Sequence, residues 1–502
     1  MKFKYFGAFL FIAAITASCT DKTTDGPKDS FIDETGSGVY FSLNVNSSGH
    51  TRAVEGADHG TLQESSYQSV LIALAENETS KPIMVQTIKA TDIKEDKIVH
   101  ELTNTQLEAV SDFKGDKVKV FVVCNLPENN DYESMLMGES FKSFQTTMLL
   151  NEDSDLYWSD NNFLMSNADQ DNERLIDIEG IKQGKYDSEE NAWSLGTINV
   201  QRAMSRLDIC NLQPVVEDLE SVDLKFDAIA LVNLSKQFYL YKQVGNVLMA
   251  QEETDKFVDD PKSSLQIYSD NELLYFNLEA QNLYFTNEWF TTDILEEIPS
   301  YSKWRYVTPN TVSSVEEQIN GKTTGIVFRA EMNSKDGDFI IDKSKGTDLY
   351  VYGQKIWGSL ADIQKIARQP EGDSQQLIKF IYNSATEGLE SDSGIKEALK
   401  EAGFKVYPEK DGKYFCYYYY WVRHNATPAN YNDGKMDVME FGVVRNNIYQ
   451  IALTSVAGLG KPGDFIPDMT TPDDPEKVPA DANISVNINV LPWTVRQDNI
   501  YF

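Results

Sequence analysis

Residue types that do chemistry rarely stand at working distances in this chain. The run Gly321-Lys322-Thr323-Thr324-Gly325 has the lysine and hydroxyls of a phosphate loop, but Glu316 takes the place of its leading glycine, so it reads as a turn. Asp169-Gln170-Asp171-Asn172-Glu173 offers the hard oxygens that calcium favours. It lacks the glycine and closing Glu of an EF-hand loop and reads as a solvated acidic loop. The histidines, His50, His59, His100 and His424, show no metal-ligand spacing and no cysteine partner at zinc spacing. No Gly-x-Ser-x-Gly elbow occurs. The aromatic run Tyr417 to Trp421 could stack sugar rings, but a strand buried on both faces accounts for it more simply. These residues point to no catalytic centre, no metal and no cofactor, and the chain reads as a non-enzyme.

The chemistry left to consider is that of export and proteolysis. Lys2 and Lys4 precede an apolar run from Tyr5 to Ile15 and small residues up to Cys19, which is the order of a secretory signal over residues 1–18. The run is about half the length of a membrane-spanning helix. Ile15-Thr16-Ala17-Ser18-Cys19 resembles a bacterial lipobox, with Thr16 where an aliphatic residue is usual. That resemblance implies a lipoprotein signal peptidase, acylation of Cys19 and a bacterial membrane, with residues 19–35 as a polar tether. The other reading is an ordinary signal peptide that contains a cysteine. Cys124, Cys210 and Cys416 are odd in number, far apart and flanked by apolar or aromatic residues; buried free thiols are the default, one disulfide with a leftover thiol the alternative.

A chain of 502 residues is long for one core and suggests two to three domains. A formal net charge of −33 opposes nucleic acid, which needs clustered Lys and Arg to displace counterions, and opposes docking on anionic lipid. Short alternating runs rich in aromatic and β-branched residues recur between Asn, Asp, Gly and Ser clusters, as at Val118 to Val123, Ile198 to Val200, Asp227 to Asn233, Tyr414 to Val422 and Ile448 to Leu453. Helical spacing is confined to Asn104 to Val110, Gly358 to Arg368 and, with interruptions, Gln375 to Lys400. The fold class is mainly β, with two β-sandwich domains, over 53–213 and 214–457, and a few helices. From 458 to 483, glycine, proline and aspartate make an extended arm.

Two strands at opposite ends share one pattern. Val39, Phe41, Leu43 and Val45 alternate with Tyr40, Ser42 and Asn44; Ile484, Val486, Ile488 and Val490 alternate with Ser485, Asn487 and Asn489. Between the first strand and the body lies a small, polar stretch around Arg52 and Ala53, the composition of a proteolytic site. A cut there would free residues 36–52 and leave a groove of apolar surface and unpaired backbone, a template for another chain's strand. Four apolar side chains would contribute on the order of 6 to 12 kcal/mol before ordering costs. Groove and strand sit at different places on the subunit, so the contact would run head to tail and propagate. Alternatively both strands pair within one subunit, Arg52 is an ordinary exposed arginine, and the arm is a long loop.

The stretch Val443-Val444-Arg445-Asn446-Asn447-Ile448-Tyr449-Gln450-Ile451, the following Leu459-Gly460 and acidic arm, and the ending Val486 to Val495 resemble the C-terminal region of the fimbrillins, the major subunits of short, type V fimbriae. Lys117 to Asn125, Val200 to Arg206 and the first strand with its Arg52 are similar too, while about 215 to 410 is not. The resemblance implies transthyretin-like sandwiches and a lipoprotein precursor at the outer membrane acylated at Cys19. It implies an arginine-specific protease cutting between Arg52 and Ala53. It also implies a donor segment over 484–502 whose Ile484, Val486, Ile488, Val490, Trp493 and Val495 fill the groove of another copy. Partners would be copies of itself and tip or anchor subunits, in an extracellular fimbrium that supports adhesion. A tip or anchor adhesin, or a surface glycan-binding lipoprotein that does not polymerise, is the competing reading.

Overall fold

The computed structural model describes residues 36–46, 60–61, 63–89, 91, 93, 97–128, 131–137, 145–147, 158, 162–168, 174–210, 215–217, 219, 221–233, 235, 237–246, 256–259, 290–291, 302–311, 318, 323–335, 341, 346–353, 355–369, 376–424, 439–462 and 484–492. Strands dominate. The first part of the chain forms β1 (Gly36–Asn46), β2 (Ser69–Glu76), β3 (Pro82–Lys89), β4 (Lys97–Thr103), β5 (Lys117–Cys124), β6 (Gln145–Thr147), β7 (Asn162–Phe163), β8 (Met165–Asn167), β9 (Leu175–Asp177) and β10 (Trp193–Arg202). The second part begins with β11 (Ser205–Cys210), β12 (Val215–Glu217), β13 (Val222–Val232), β14 (Gln237–Tyr239), β15 (Gln243–Asn246), β16 (Lys256–Asp259), β17 (Phe290–Thr291) and β18 (Ser302–Val307). It ends with β19 (Gly325–Ser334), β20 (Leu349–Tyr352), β21 (Lys355–Trp357), β22 (Lys405–Tyr407), β23 (Glu409–Lys410), β24 (Lys413–Trp421), β25 (Asn447–Ala457), β26 (Lys461–Pro462) and β27 (Ile484–Pro492).

The first sheet runs β3-β2-β5-β8-β10-β1-β4. It folds over on β10, whose first residues pair with β1 and whose last, Val200 to Arg202, pair with β8. A strand that changes partners along its length turns a corner, so the sheet closes on its own core as a sandwich. Phe41, Leu43, Val70, Ile72, Val120, Val122, Trp193 and Ile198 are buried together there. β2 and β5 bury their other faces as well: Leu71, Ala73, Phe121 and Val123 join a second core shared with Leu207, Phe226, Tyr306 and Tyr418. Two-sided burial explains why β2 and β5 read as nearly unbroken apolar runs. The chain passes from the first sheet to the second at Ala203–Met204, N-terminal to the Gln213 position at which composition places the boundary.

The second part pairs β12-β25-β11-β18 in one sheet, with β27 on β25, and β17-β13-β19-β24-β23 in another, with β26 on β24. The Tyr417 to Trp421 run is explained by burial: β24 lies inside its sheet with Tyr414, Cys416, Tyr417, Tyr418 and Tyr420 buried. Helices fall where their spacing predicts. Asn104–Asp112 starts at a capping box of Thr103 and Gln106, and Leu360–Ala367, Gln376–Ala385 and Asp392–Glu401 pack with β20, β21 and β22 around Trp357, Ile363, Ile378 and Leu399. The short helices Tyr132–Met137 and Glu179–Lys182 have too few residues for a readable period. Among the described residues no helix is long and apolar enough to cross a membrane.

Candidate functional site

The first strand sits inside its sheet. β1 runs parallel to β10, with Phe41 opposite Trp193 and Val45 opposite Ile198, and antiparallel to β4, with Phe41 opposite His100 and Leu43 opposite Ile98. The register slips against β10 between Ser42 and Leu43, at Gly196, whose φ of 81° suits a glycine in a bulge, and against β4 between Gly36 and Tyr40. Val39, Phe41, Leu43 and Val45 retain 8%, 0%, 1% and 3% of their surface, so the alternating pattern marks a core face. The opposite face carries exposed Asn44 and part-exposed Tyr40. Gly38 donates its N–H to Glu101 Oε1 at 2.8 Å, and Tyr40 donates its own to the Tyr186 carbonyl at 2.9 Å. Among the described residues β4 has no ladder in its sheet other than that with β1. Loss of β1 would open a groove with unpaired backbone on both sides.

The last strand is stowed. β27 pairs antiparallel with β25 from Asn447 opposite Pro492 to Val456 opposite Ile484, placing Val486, Ile488 and Val490 opposite Leu453, Ile451 and Tyr449. Two sets of four strands match in topology. In the first, β4 is antiparallel to β1, β1 parallel to β10, and β10 antiparallel to β8. The second repeats these relations with β18, β11, β25 and β27. β1 and β11 hold corresponding slots; one lies near the start of the chain, the other follows β10 directly. Cys19, Arg52, Ala53, Trp493 and Val495 lie outside the described residues, as do the acidic loop 169–173, His50 and His59.

Polar side chains that the sequence reading did not single out meet where the two parts join. Glu64, 1% exposed, accepts hydrogen bonds from the Tyr306 hydroxyl at 2.5 Å, Arg206 Nη1 at 3.0 Å and the Thr61 N–H at 2.6 Å. Arg206 grips Asp208 with its other nitrogens, both contacts at 2.8 Å. Arg202, without exposed surface, donates from Nε to the Glu64 carbonyl at 2.7 Å and from Nη2 to Ser65 Oγ at 3.0 Å. Burial alone would raise the Glu64 pKa; the Tyr306 hydroxyl, Arg206, the Thr61 N–H and Arg202 outweigh it and hold the carboxyl below its ordinary value. The signal available in the sequence was the pair of arginines breaking an apolar run, Val200 to Ile209.

The Val443 to Ile451 motif serves the same junction. Asn446, at φ 60°, donates its N–H to the Met204 carbonyl and accepts from the Arg202 N–H. Arg445 donates to Tyr239 O at 2.9 Å and Ser166 Oγ at 3.2 Å, joining both parts of the chain. Gly460 passes so close to β24 that a Cβ would stand 2.4 Å from the Tyr417 carbonyl oxygen. Cys124 and Cys416 are free and buried; burial pushes the Cys416 thiol up to about 11 and Cys124 higher still. Gly321 and Lys322 lie outside the described residues; Thr324 Oγ1 donates to Asn233 O at 3.0 Å, and Gly325 opens β19. Among the described residues no group of three or more His, Cys, Asp or Glu could hold a metal ion.

Residues 412–499, from the start of β24 through β27, match the family model described as major fimbrial subunit protein type IV, fimbrillin, C-terminal. That stretch is similar to the C-terminal region of fimbrillins. The motif at the junction, β25 and the last strand all lie within that fimbrillin stretch. Fimbrillins are structural fimbrial proteins and not a class of enzyme. A fimbrilin from Porphyromonas gingivalis W83 is similar to this chain at 16% identity and a TM-score of 0.42, over 92% of this chain and 99% of that one. The tip fimbrial protein of Porphyromonas gingivalis, with a C-terminal truncation, is similar at 12% identity and a TM-score of 0.32, over 91% of this chain and 99% of that one. No curated protein matches significantly.

Proposed function

We propose that this chain is a shaft subunit of a bacterial surface fimbria, polymerised by donor-strand exchange. It is exported with residues 1–18 as signal peptide, acylated at Cys19, and carried to the outer membrane as a lipidated precursor. An arginine-specific protease cuts between Arg52 and Ala53, β1 leaves, and residues 484–502 of another copy enter the groove between β4 and β10. The anchor goes with the released peptide, so it serves delivery and not the finished filament.

The observation that carries this reading is the placement of β1. It is a strand with ladders on both edges and four buried apolar residues, yet it lies near the chain's beginning, ahead of the stretch that contains Arg52. A strand so placed can be removed by one cut, and its pattern is repeated by β27. Since β27 rests on its own β25, donation requires that it first come off, which exposes the β25 edge to be covered in the filament. The same docking is what a subunit that never donates would show, and favours a tip or anchor adhesin as the second reading. Treatment of the purified chain with an arginine-specific protease separates the two. A shaft subunit gives SDS-resistant ladders that disappear on truncation at Asp481. Cleavage that leaves only monomers, or ladders that survive truncation, sinks the shaft reading.

A further inference from the structure

We propose that Glu64, gripped by Arg202 and Arg206, is a retention anchor that keeps the chain downstream of the cut fastened to the junction while β1 departs. The proposal rests on processing after Arg52 and adds to it a positioning residue. The chain on either side of the cut is fastened to one strand, β10, in two different ways. Upstream, Asn46 and Val45 pair with Asn199 and Ile198 through the backbone ladder. Downstream, Arg202 of the same strand holds the Glu64 carbonyl and Ser65 Oγ by its side chain. Asn46 and Glu64 therefore both lie against the C-terminal end of β10.

The chemistry of the grip suits retention better than stability. A buried ion pair repays its desolvation only with full hydrogen bonding, and apolar residues of equal volume often stabilise as well. What it supplies is position: a carboxylate with both oxygens occupied fits one place. Here Oε1 takes Tyr306 and Arg206, Oε2 takes Arg206 and the Thr61 N–H, and Glu64 N–H returns to the Thr61 carbonyl at 3.2 Å. Tyr306 and Arg206 belong to the second sheet and Arg202 to the first, so the anchored segment bridges both. Gln68, nearer β2, is tied independently, donating its N–H to Asn125 Oδ1 at 2.7 Å. Asn125 Nδ2 also donates to the Ser66 carbonyl at 3.0 Å, so loss of the anchor would free the new end only as far as Ser66.

Hydrogen exchange of the full chain, before and after arginine-specific cleavage, tests this. In the wild type the amides of Thr61 to Ser65 should keep their protection after the cut. Glu64→Gln must set an amide donor against the donors now facing one oxygen, and should speed exchange there about a hundredfold in the cut chain, and less in the uncut chain, where β1 still tethers the segment. Tyr306→Phe keeps the ring against Phe163, 4.7 Å between centroids, and should give about a tenfold effect if the larger change impairs folding. A residue of merely structural value would affect cut and uncut chains alike. Equal effects in the two, or protection lost in the cut wild type, overturn the anchor while ladders still form. Absence of any cut after Arg52, seen as an unchanged intact mass, overturns the processing reading and the anchor with it.

Discussion

Phe41 on β1 lies opposite Trp193 on β10, in parallel register, with no exposed surface on Phe41 and 3% on Trp193. Removal of such a ring leaves a cavity and lost transfer energy together. Phe41→Ala should lower the stability of the uncut chain by about 3 to 5 kcal/mol. In the cut chain, once β1 has dissociated, the same substitution should have no effect. Urea titration of both forms measures the difference, and an equal loss in both would show that β1 stays in place after cleavage.

Arg445 joins Tyr239, Leu240 and Ser166 by a planar fork of donors. Lysine carries the charge without the fork, so Arg445→Lys should rescue little of what Arg445→Ala loses, about 2 to 4 kcal/mol from buried carbonyls left without a donor. Comparison of the two variants' urea midpoints decides it; full rescue by lysine would mean that charge alone matters there.

Much of this was legible because alternation reports burial. Val39 to Val45 and the Tyr414 to Val422 run name their buried faces in the order of their residues, and Gly358 to Arg368 names a helix by its spacing. Pattern does not name a partner. Ile484 to Val490 has the same alternation whether it lies on its own β25 or in another copy's groove, and only the pairing from Asn447 to Val456 shows the first. Glu64 was invisible for a related reason: its partners, Arg206 and Tyr306, are 142 and 242 residues away. The passage at Ala203–Met204 escaped because β10 and β11 follow one another so closely that they read as one run.

The groove should accept a strand supplied in isolation. A chain truncated at Asp481 and cut after Arg52 has no donor of its own, so a synthetic peptide of residues 484–495 should bind it and raise its melting temperature. In the uncut truncated chain β1 fills the slot between β4 and β10, so the peptide meets only the β25 edge that truncation exposes, and the cut should add a second site and a further rise. A peptide with Ile488→Pro lacks one ladder donor in a strand paired on both sides and should bind at least about tenfold more weakly. Binding that is the same before and after the cut would place the peptide elsewhere, on the β25 edge that truncation also exposes.

His424 gives the fold a defined response to acid. Its Nδ1 stands 2.9 Å from the Tyr449 hydroxyl, which accepts the Val444 N–H and so offers its own proton to the ring. A protonated ring would make the hydroxyl turn its proton elsewhere and accept from Nδ1 as well as from Val444. Burial, and then the charge of Lys242, lower the pKa from 6.5 to about 4. The unfolded chain takes up a proton near pH 6.5 that the folded chain refuses until about 4. This contribution to stability is therefore complete above the first value, falls between the two, and is gone below the second. The shift corresponds to at most about 3 kcal/mol, reduced because solvent reaches part of the ring. Arg423 and Glu440, paired beside it, belong to both wild type and variant and cancel in the comparison. Urea midpoints between pH 7.5 and 4.5 should fall less steeply for His424→Gln than for the wild type, even if the variant starts lower. Parallel slopes would show that the ring is already charged in the folded protein.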